Sequence, residues 1–105
     1  MNYYIISKGD STEVVQAVQI KDILNYLDIY GDLCKTSFGK MYKDGNFSII
    51  SRDDLTIKLQ INGKNYHVVE NNYLVKFGKN DYKIFSEHDF NLKCNLFSNF
   101  GLYKF

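Results

Sequence analysis

The chain has 105 residues, a length that supports one hydrophobic core and rarely two, so a single α+β domain over residues 1–105 is predicted. A formal net charge of +1 and a single arginine argue against general nucleic-acid binding, which needs a broad basic surface. Residues 1–34 hold two lysines against five acids, and the rest holds eleven basic residues against seven acids. The later part of the chain is therefore the better candidate to meet an anion.

The first predicted elements are a strand and an amphipathic helix. Residues 12–20, TEVVQAVQI, are rich in β-branched side chains and are typical of a strand. In the next segment, KDILNYLDIYGD, apolar residues recur at helical spacing and Gly31 provides a stop signal. The apolar stripe comprises Ile23, Leu24, Leu27 and Tyr30. This pattern predicts a helix of about three turns.

Three turn signals follow the helix: Asp44-Gly45, Asn62-Gly63 and the group Gly78-Lys79-Asn80. Such dipeptides tolerate the positive φ of tight hairpin turns, so each is predicted to join two antiparallel strands. The predicted strands lie near residues 36–43, 46–51, 55–61, 65–70, 73–77 and 81–85. In residues 55–61, LTIKLQI, the apolar side chains alternate and are predicted to form one buried face: Leu55, Ile57, Leu59 and Ile61.

The segment SEHDF predicts a second helix. Ser86 with Asp89 three positions later resembles a capping box, so the helix is expected to open at about Glu87 and to bury Phe90 and Cys94. Together the elements predict an α+β fold. It consists of an antiparallel β-meander of about six to seven strands and two short helices. The meander is expected to be either an open sheet or closed like a barrel.

The cysteines and the start of the chain bear on compartment. Cys34 and Cys94 are far apart in sequence and fit neither a metal-ligand spacing nor a disulfide-rich scaffold, so both are predicted to be reduced, buried thiols. The opening MNYYIISKGD lacks the basic region and apolar run of a signal peptide. The sequence predicts a cytoplasmic protein that does not associate with membranes.

Three segments resemble, in order, a family of small bacteriophage proteins. EVVQAVQI resembles the family's Val-Val-Glu-Ala opening strand, TSFG (36–39) resembles its middle marker, and NNYLVKFGKNDYKIFSEHDF (71–90) resembles its Pro-Gly-Asp-Tyr-type closing hairpin and helix. The chain departs from the family at Glu70-Asn71-Asn72, where the family has Pro-Gly-Asp, and at Lys83-Ile84-Phe85, where it has Cys-Lys-Pro. The resemblance implies a phage accessory protein that acts on host immunity in the bacterial cytoplasm.

Candidate catalytic residues have ordinary structural interpretations. His67 and His88 have no second His or Cys at metal spacing and are predicted to be structural or surface residues. Asp53-Asp54 lies between two strands, where adjacent carboxylates usually make local turn hydrogen bonds. A metal-assisted nuclease would need a third carboxylate, with Lys58 as its nearby cation. The sequence therefore predicts a non-enzymatic protein with no catalytic residue, metal or cofactor.

Binding is the better supported class. Nine tyrosines and eight phenylalanines exceed what one small core easily holds, and tyrosine concentrates in interfaces and ligand pockets. The predicted ligand-binding residues are the aromatic and cationic side chains of the meander and its turns: Lys40, Tyr66, Tyr73, Lys76, Lys79 and Tyr82. The apolar tail LFSNFGLYKF (96–105) is predicted to pack on its own domain or on a second copy in a homo-oligomer.

Three functions remain open at this point. The favoured one is a counter-defence protein that sequesters a small nucleotide-like immune signal in a pocket of Tyr and Lys side chains. Nanomolar affinity, about −12 kcal/mol, would require a largely enclosed site, which favours a pocket shared between protomers. The second is a protein inhibitor, anti-CRISPR or similar, that covers a host defence protein with about 800 Å² of surface. The third is a small hydrolase of a signalling nucleotide.

Overall fold

The computed structural model describes residues 2–96, which form eight strands and three helices. In chain order these are β1 (Asn2–Lys8), β2 (Ser11–Gln19), α1 (Ile20–Tyr30), α2 (Gly39–Lys43), β3 (Phe47–Arg52), β4 (Ile57–Ile61), β5 (Lys64–Val68), β6 (Tyr73–Phe77), β7 (Asp81–Phe85), α3 (Glu87–Lys93) and β8 (Cys94–Leu96). The strands pair antiparallel, which confirms the predicted α+β fold with an antiparallel meander. They form two open sheets, of order β7-β6-β2-β1-β8 and β3-β4-β5, and no barrel within residues 2–96.

The chain divides into two compact units. The described part of the first comprises residues 2–19 and 71–96 and contains the five-stranded sheet with α3. The second takes Ile20–Glu70 and contains α1, α2 and the three-stranded sheet. The single domain predicted for residues 1–105 stays a prediction. Most of the apolar tail, from residue 97 onward, lies outside the described residues.

The core of the first unit follows from strand alternation. Residues that are paired across neighbouring strands share a face of the sheet. The registers Tyr4↔Val15 and Ala17↔Val75 place a cluster of buried side chains from β1, β2 and β6 on the face that α3 covers. Its buried members are Ile6, Val15, Ala17, Val75, Phe77, Phe90 and Cys94. Val18 and Leu74, which pair with each other, are buried on the opposite face of the sheet. Strands β1 and β8 were not predicted; Gly9, with φ 58°, is the turn signal for the β1–β2 hairpin.

Helix α3 begins as the sequence predicts. The Ser86 hydroxyl accepts a hydrogen bond of 3.1 Å from the Asp89 backbone N–H, which satisfies one of the unpaired donors at the start of the helix. Phe90 is then directed into the core. Its ring stacks on Tyr73 with centroids 3.8 Å apart and meets Tyr4 edge-on at 4.8 Å. The predicted burial of Phe90 and Cys94 is confirmed.

A buried amide joins two segments of the first unit. Gln19, at the end of β2, is 6% exposed. Its Nε2 donates to the Asn71 backbone oxygen at 3.1 Å and to Oε2 of Glu87 at 2.9 Å. A buried polar group costs free energy unless it is hydrogen-bonded, so this pairing explains how an amide is accommodated at the edge of the core.

The second unit also contains many buried apolar side chains. The predicted helix is confirmed as α1, and Gly31, with φ 81°, ends it by donating its N–H to the Leu27 oxygen at 2.8 Å. The buried side chains of α1, the following loop and the sheet are Ile20, Ile23, Leu24, Leu33, Phe38, Phe47, Ile57, Leu59, Ile61 and Val68. Tyr30, predicted on the buried stripe, is 64% exposed.

The strand predicted over residues 36–43 is wrong. The Thr36 hydroxyl donates to the Leu33 oxygen at 2.8 Å and accepts from the Phe38 N–H at 3.1 Å, so the backbone turns here. Local hydrogen bonds of this kind compete with strand pairing. Phe38 is buried against Phe47, with ring centroids 4.7 Å apart, and α2 begins at Gly39. The turn at Thr36 and the burial of Phe38 therefore explain the TSFG segment in structural terms.

The three turn signals had different outcomes. Asp44-Gly45 does not join two strands but ends α2, with Gly45 at φ 77°. The predicted hairpins at Asn62-Gly63 and at Gly78 are confirmed, and all three of these residues have positive φ. Leu55, predicted on a buried face, is 81% exposed because β4 begins only at Ile57.

Among residues 2–96, none of the helices has the length and apolar character needed to cross a bilayer.

Candidate ligand-binding cleft

The groups first considered for catalysis are surface and turn residues. His67 and His88 are exposed, as predicted. Asp53 Oδ1 accepts from the Leu55 N–H at 2.9 Å and from the Thr56 N–H at 2.7 Å, which confirms its predicted role in a turn. These two backbone donors hold the pKa of the Asp53 carboxyl below its ordinary value of 3.8, and the Thr56 N–H has the larger effect. Within the described residues no three His, Cys, Asp or Glu side chains form a metal-binding group.

The lowered pKa of Asp53 predicts a pH dependence of stability. Because this pKa is lower in the folded chain than in the unfolded chain, ionised Asp53 stabilises the fold above about pH 3.8, and the contribution is lost as the pH falls through the folded value. We expect the difference in unfolding free energy between the native chain and Asp53→Asn to shrink as the pH falls from about 5 through 3.8 to below the lowered pKa of Asp53. Urea unfolding at each pH measures it. A difference that stays constant over this range would contradict the assignment.

Four of the six predicted ligand-binding residues lie in the first unit. Lys76 and Tyr82 are directly opposite each other on β6 and β7, and Lys79 is exposed in the turn between them. Tyr73 lies on the other face of the sheet, since it is three positions from Lys76, and its ring stacks on Phe90. Tyr82 is buried. Tyr82 is therefore a side chain of the folded interior, and Tyr73 lies at the edge of the interior.

The other two predicted residues lie in the second unit. Lys40 is exposed on α2, and Tyr66 is half-buried on β5 with Lys64 Nζ 5.2 Å from its ring centroid. A ligand-binding role for any of the six stays a prediction. The structure brings Lys76, Lys79 and Tyr82 together at one hairpin and separates Tyr73 from them by the thickness of the sheet.

A different set of residues lines a cleft of the second unit. The cleft has a volume of about 470 Å³, within the range of small-molecule sites. The residues that line it are two tyrosines, an aspartate, a cysteine and a lysine: Tyr26, Tyr30, Asp32, Cys34 and Lys35. The residues come from the last turn of α1 and the loop that follows it.

The aromatic part of the cleft is built by helical spacing. Tyr26 and Tyr30 are four residues apart on α1 and so lie on the same side of the helix. Their ring centroids are 4.5 Å apart with an interplanar angle of 40°. The pair presents an aromatic surface, of which Tyr30 is largely exposed and Tyr26 half-buried.

The end of α1 is fixed by an ion pair. Arg52, at the end of β3, donates to both carboxylate oxygens of Asp28, with Nη1 to Oδ1 at 2.8 Å and Nη2 to Oδ2 at 3.1 Å. The Arg52 guanidinium lowers the pKa of Asp28. The pair is exposed and adds little to stability, but its two-point geometry orients the helix end that carries Tyr30.

The polar part of the cleft is also held in place. Asp32 Oδ1 accepts from the Cys34 backbone N–H at 2.8 Å, closing a turn just after Gly31. Partial burial raises the pKa of the Cys34 thiol, and so do the hydrogen bond that the thiol donates to the Asp32 carboxylate and the negative charge of that carboxylate. Cys34 is half-buried, where full burial was predicted, while Cys94 is buried, and both are free thiols. Burial also raises the pKa of Cys94.

Sequence analysis missed this cleft although one signal pointed to it. Tyr26 and Tyr30 have the spacing of a side-chain pair on one helix face. Tyr30 was instead assigned to the buried stripe, because it lies at i+3 from Leu27. The contribution of Asp32 depends on a turn that forms only after Gly31 ends the helix, and spacing alone does not reveal it.

No protein-family model matches the chain, and comparison with curated proteins and with solved structures finds no similar protein. The resemblance to small bacteriophage proteins thus stays a prediction. The cleft itself must carry the functional argument.

Proposed function

We propose that the protein is a non-enzymatic binding protein that holds a small nucleotide-like ligand in the cleft of the second unit. One observation carries the proposal: the Tyr26–Tyr30 pair and Lys35 line the same cleft. Aromatic side chains stack on nucleobases, at about 1–3 kcal/mol per base, and a lysine supplies a point charge for a phosphate. A concave site of this composition fits a ligand better than it fits the flat surface of a protein partner.

A binding role also agrees with the chemistry of Cys34. A thiol is nucleophilic as the thiolate, and the raised pKa of Cys34 keeps it protonated near neutral pH. The protonated thiol contributes a weak hydrogen-bonding group to the cleft and no reactive anion. The hydrolase alternative has no such support from this side chain.

The biological setting forms the second part of the proposal and is supported by the sequence resemblance alone. In it the protein is a phage product of the host bacterial cytoplasm that sequesters an immune signal. Tyr30 is mostly exposed, so one chain covers its ligand on one side only. Sequestration at nanomolar concentration needs a more enclosed site, and a second copy over the cleft would supply it.

The stacking role of Tyr30 predicts a loss of affinity on substitution. In isothermal titration calorimetry with adenosine 5′-monophosphate, Tyr30→Ala is expected to weaken binding about tenfold, since one stacking surface is removed. The matched control is Ile29→Ala, because Ile29 is also largely exposed at the end of α1 but is not among the residues that line the cleft. Equal affinities for the native chain and Tyr30→Ala would contradict the proposal.

Native mass spectrometry of protein purified from phage-infected, defence-positive cells separates the ligand binder from the protein inhibitor. The proposal predicts a retained ligand of nucleotide mass. A complex with a second, different protein and no small ligand would favour the inhibitor.

A further inference from the structure

The cleft carries no net formal charge, which limits the ligands it can hold. Lys35 contributes one positive charge and Asp32 one negative charge to the lining. A single phosphate placed at Lys35 leaves Asp32 to face another part of the ligand. A second phosphate would meet no further cation among the lining residues and would be repelled by Asp32. Lys43, whose charge acts on Cys34, lies outside the lining.

The position of the cleft adds to this effect. Helix α1 ends at Tyr30, and its last turn contains no basic residue. The unpaired carbonyl groups at a helix C-terminus carry partial negative charge, which favours cations and hydrogen-bond donors over anions. The end of α1 and the Asp32 carboxylate therefore both disfavour additional negative charge in the cleft.

Asp32 is fixed as an acceptor. One of its oxygens already receives the Cys34 N–H at 2.8 Å, which holds the side chain in the turn. The carboxylate also accepts from the Cys34 thiol. Because a carboxylate has about four lone-pair positions and no donor, Asp32 still retains capacity to accept from a ligand. Adenine and cytosine offer an exocyclic amine as donor, whereas the corresponding group of uracil is a carbonyl acceptor.

We infer that the cleft binds an aromatic base with an exocyclic amine and at most one phosphate, as in an amine-bearing nucleoside monophosphate. The base stacks on the Tyr26–Tyr30 pair, the amine donates to Asp32, and the phosphate meets Lys35. The inference rests on the proposed function, since it assigns the ligand class of the same cleft. It goes further by excluding ligands with two or more phosphates as the preferred class.

Three probes test the inference by calorimetry on the full chain: adenosine 5′-monophosphate, uridine 5′-monophosphate and cyclic di-adenosine monophosphate. Adenosine 5′-monophosphate is expected to bind about tenfold more tightly than uridine 5′-monophosphate, because uracil lacks the exocyclic amine that donates a hydrogen bond to the Asp32 carboxylate. Asp32→Asn, which keeps an oxygen acceptor and removes the charge, is expected to reduce that preference and to improve binding of the cyclic dinucleotide. Lys35→Gln is expected to weaken both monophosphates by a similar factor.

The outcomes separate this inference from the proposed function. Binding of the cyclic dinucleotide more tightly than either monophosphate, with Tyr30→Ala still weakening it, would overturn the inference and leave the function standing. Equal affinity for the adenosine and uridine compounds, unchanged in Asp32→Asn, would also overturn it. No binding of any probe, or binding that Tyr30→Ala does not alter, would remove the proposed function and the inference together.

Discussion

Phe90→Ala is expected to lower the free energy of unfolding by about 3–5 kcal/mol, the usual cost of emptying a phenylalanine site in a core. Phe90 is 4% exposed, and its ring contacts those of Tyr73 and Tyr4. The loss combines removed apolar burial, a cavity that the neighbouring rings fill incompletely, and the aromatic pair contacts. Urea unfolding followed by circular dichroism measures it.

A matched control is available on the same helix. Leu92 is 69% exposed on α3, so Leu92→Ala is expected to change the unfolding free energy by less than about 0.5 kcal/mol. Because small domains have only about 5–15 kcal/mol of stability, Phe90→Leu serves as a milder variant, with a loss on the order of 1–2 kcal/mol. Equal effects of the substitutions at positions 90 and 92 would contradict the packing of α3 described above. A single transition in these experiments would support the predicted single domain.

Gly39→Ala is expected to cost about 3 kcal/mol although it adds only one methyl group. A Cβ at this position would overlap the Cys34 carbonyl oxygen and lie 2.8 Å from its carbonyl carbon. The obstacle is backbone, so relief requires moving the loop that carries Cys34 or the start of α2. Thermal and urea unfolding measure the loss, and the same variant is expected to bind ligand more weakly because Cys34 lines the cleft.

Lys40→Ala provides the comparison for Gly39→Ala. Lys40 is the next residue of α2 and is exposed, and alanine is a good helix former, so a change within about 0.5 kcal/mol is expected. If Gly39→Ala were as stable as Lys40→Ala, the close approach between Gly39 and Cys34 would not exist in the folded protein.

Local sequence signals predicted the elements whose geometry depends on nearby residues. Asn62-Gly63 set a hairpin because both residues adopt positive φ, and Ser86 set the start of α3 because its hydroxyl caps Asp89. Gly31 ended α1 for the same kind of local reason. The strand expected over residues 36–43 was wrong because it was inferred from the Asp44-Gly45 turn signal, which does not reveal the Thr36 hydrogen bonds or the close approach of Gly39 to Cys34.

The candidate site was less accessible from sequence. Choosing aromatic and cationic residues of the meander selected Tyr73, which stacks in the core, and Tyr82, which is buried. The cleft depends on which face of α1 remains exposed after the unit has packed. That property follows from the burial of Ile23 and Leu24 and from the exposure of Tyr30, and residue type alone does not determine it.

The most direct test of the account is a two-dimensional NMR titration of the full chain with adenosine 5′-monophosphate. Saturable chemical-shift changes are expected to centre on Tyr26, Tyr30, Asp32, Cys34 and Lys35, which line the cleft. Changes that centre instead on Lys76, Lys79 and Tyr82 would return the site to the hairpin first predicted from sequence. A spectrum that does not change at millimolar ligand would contradict the binding function proposed for the cleft.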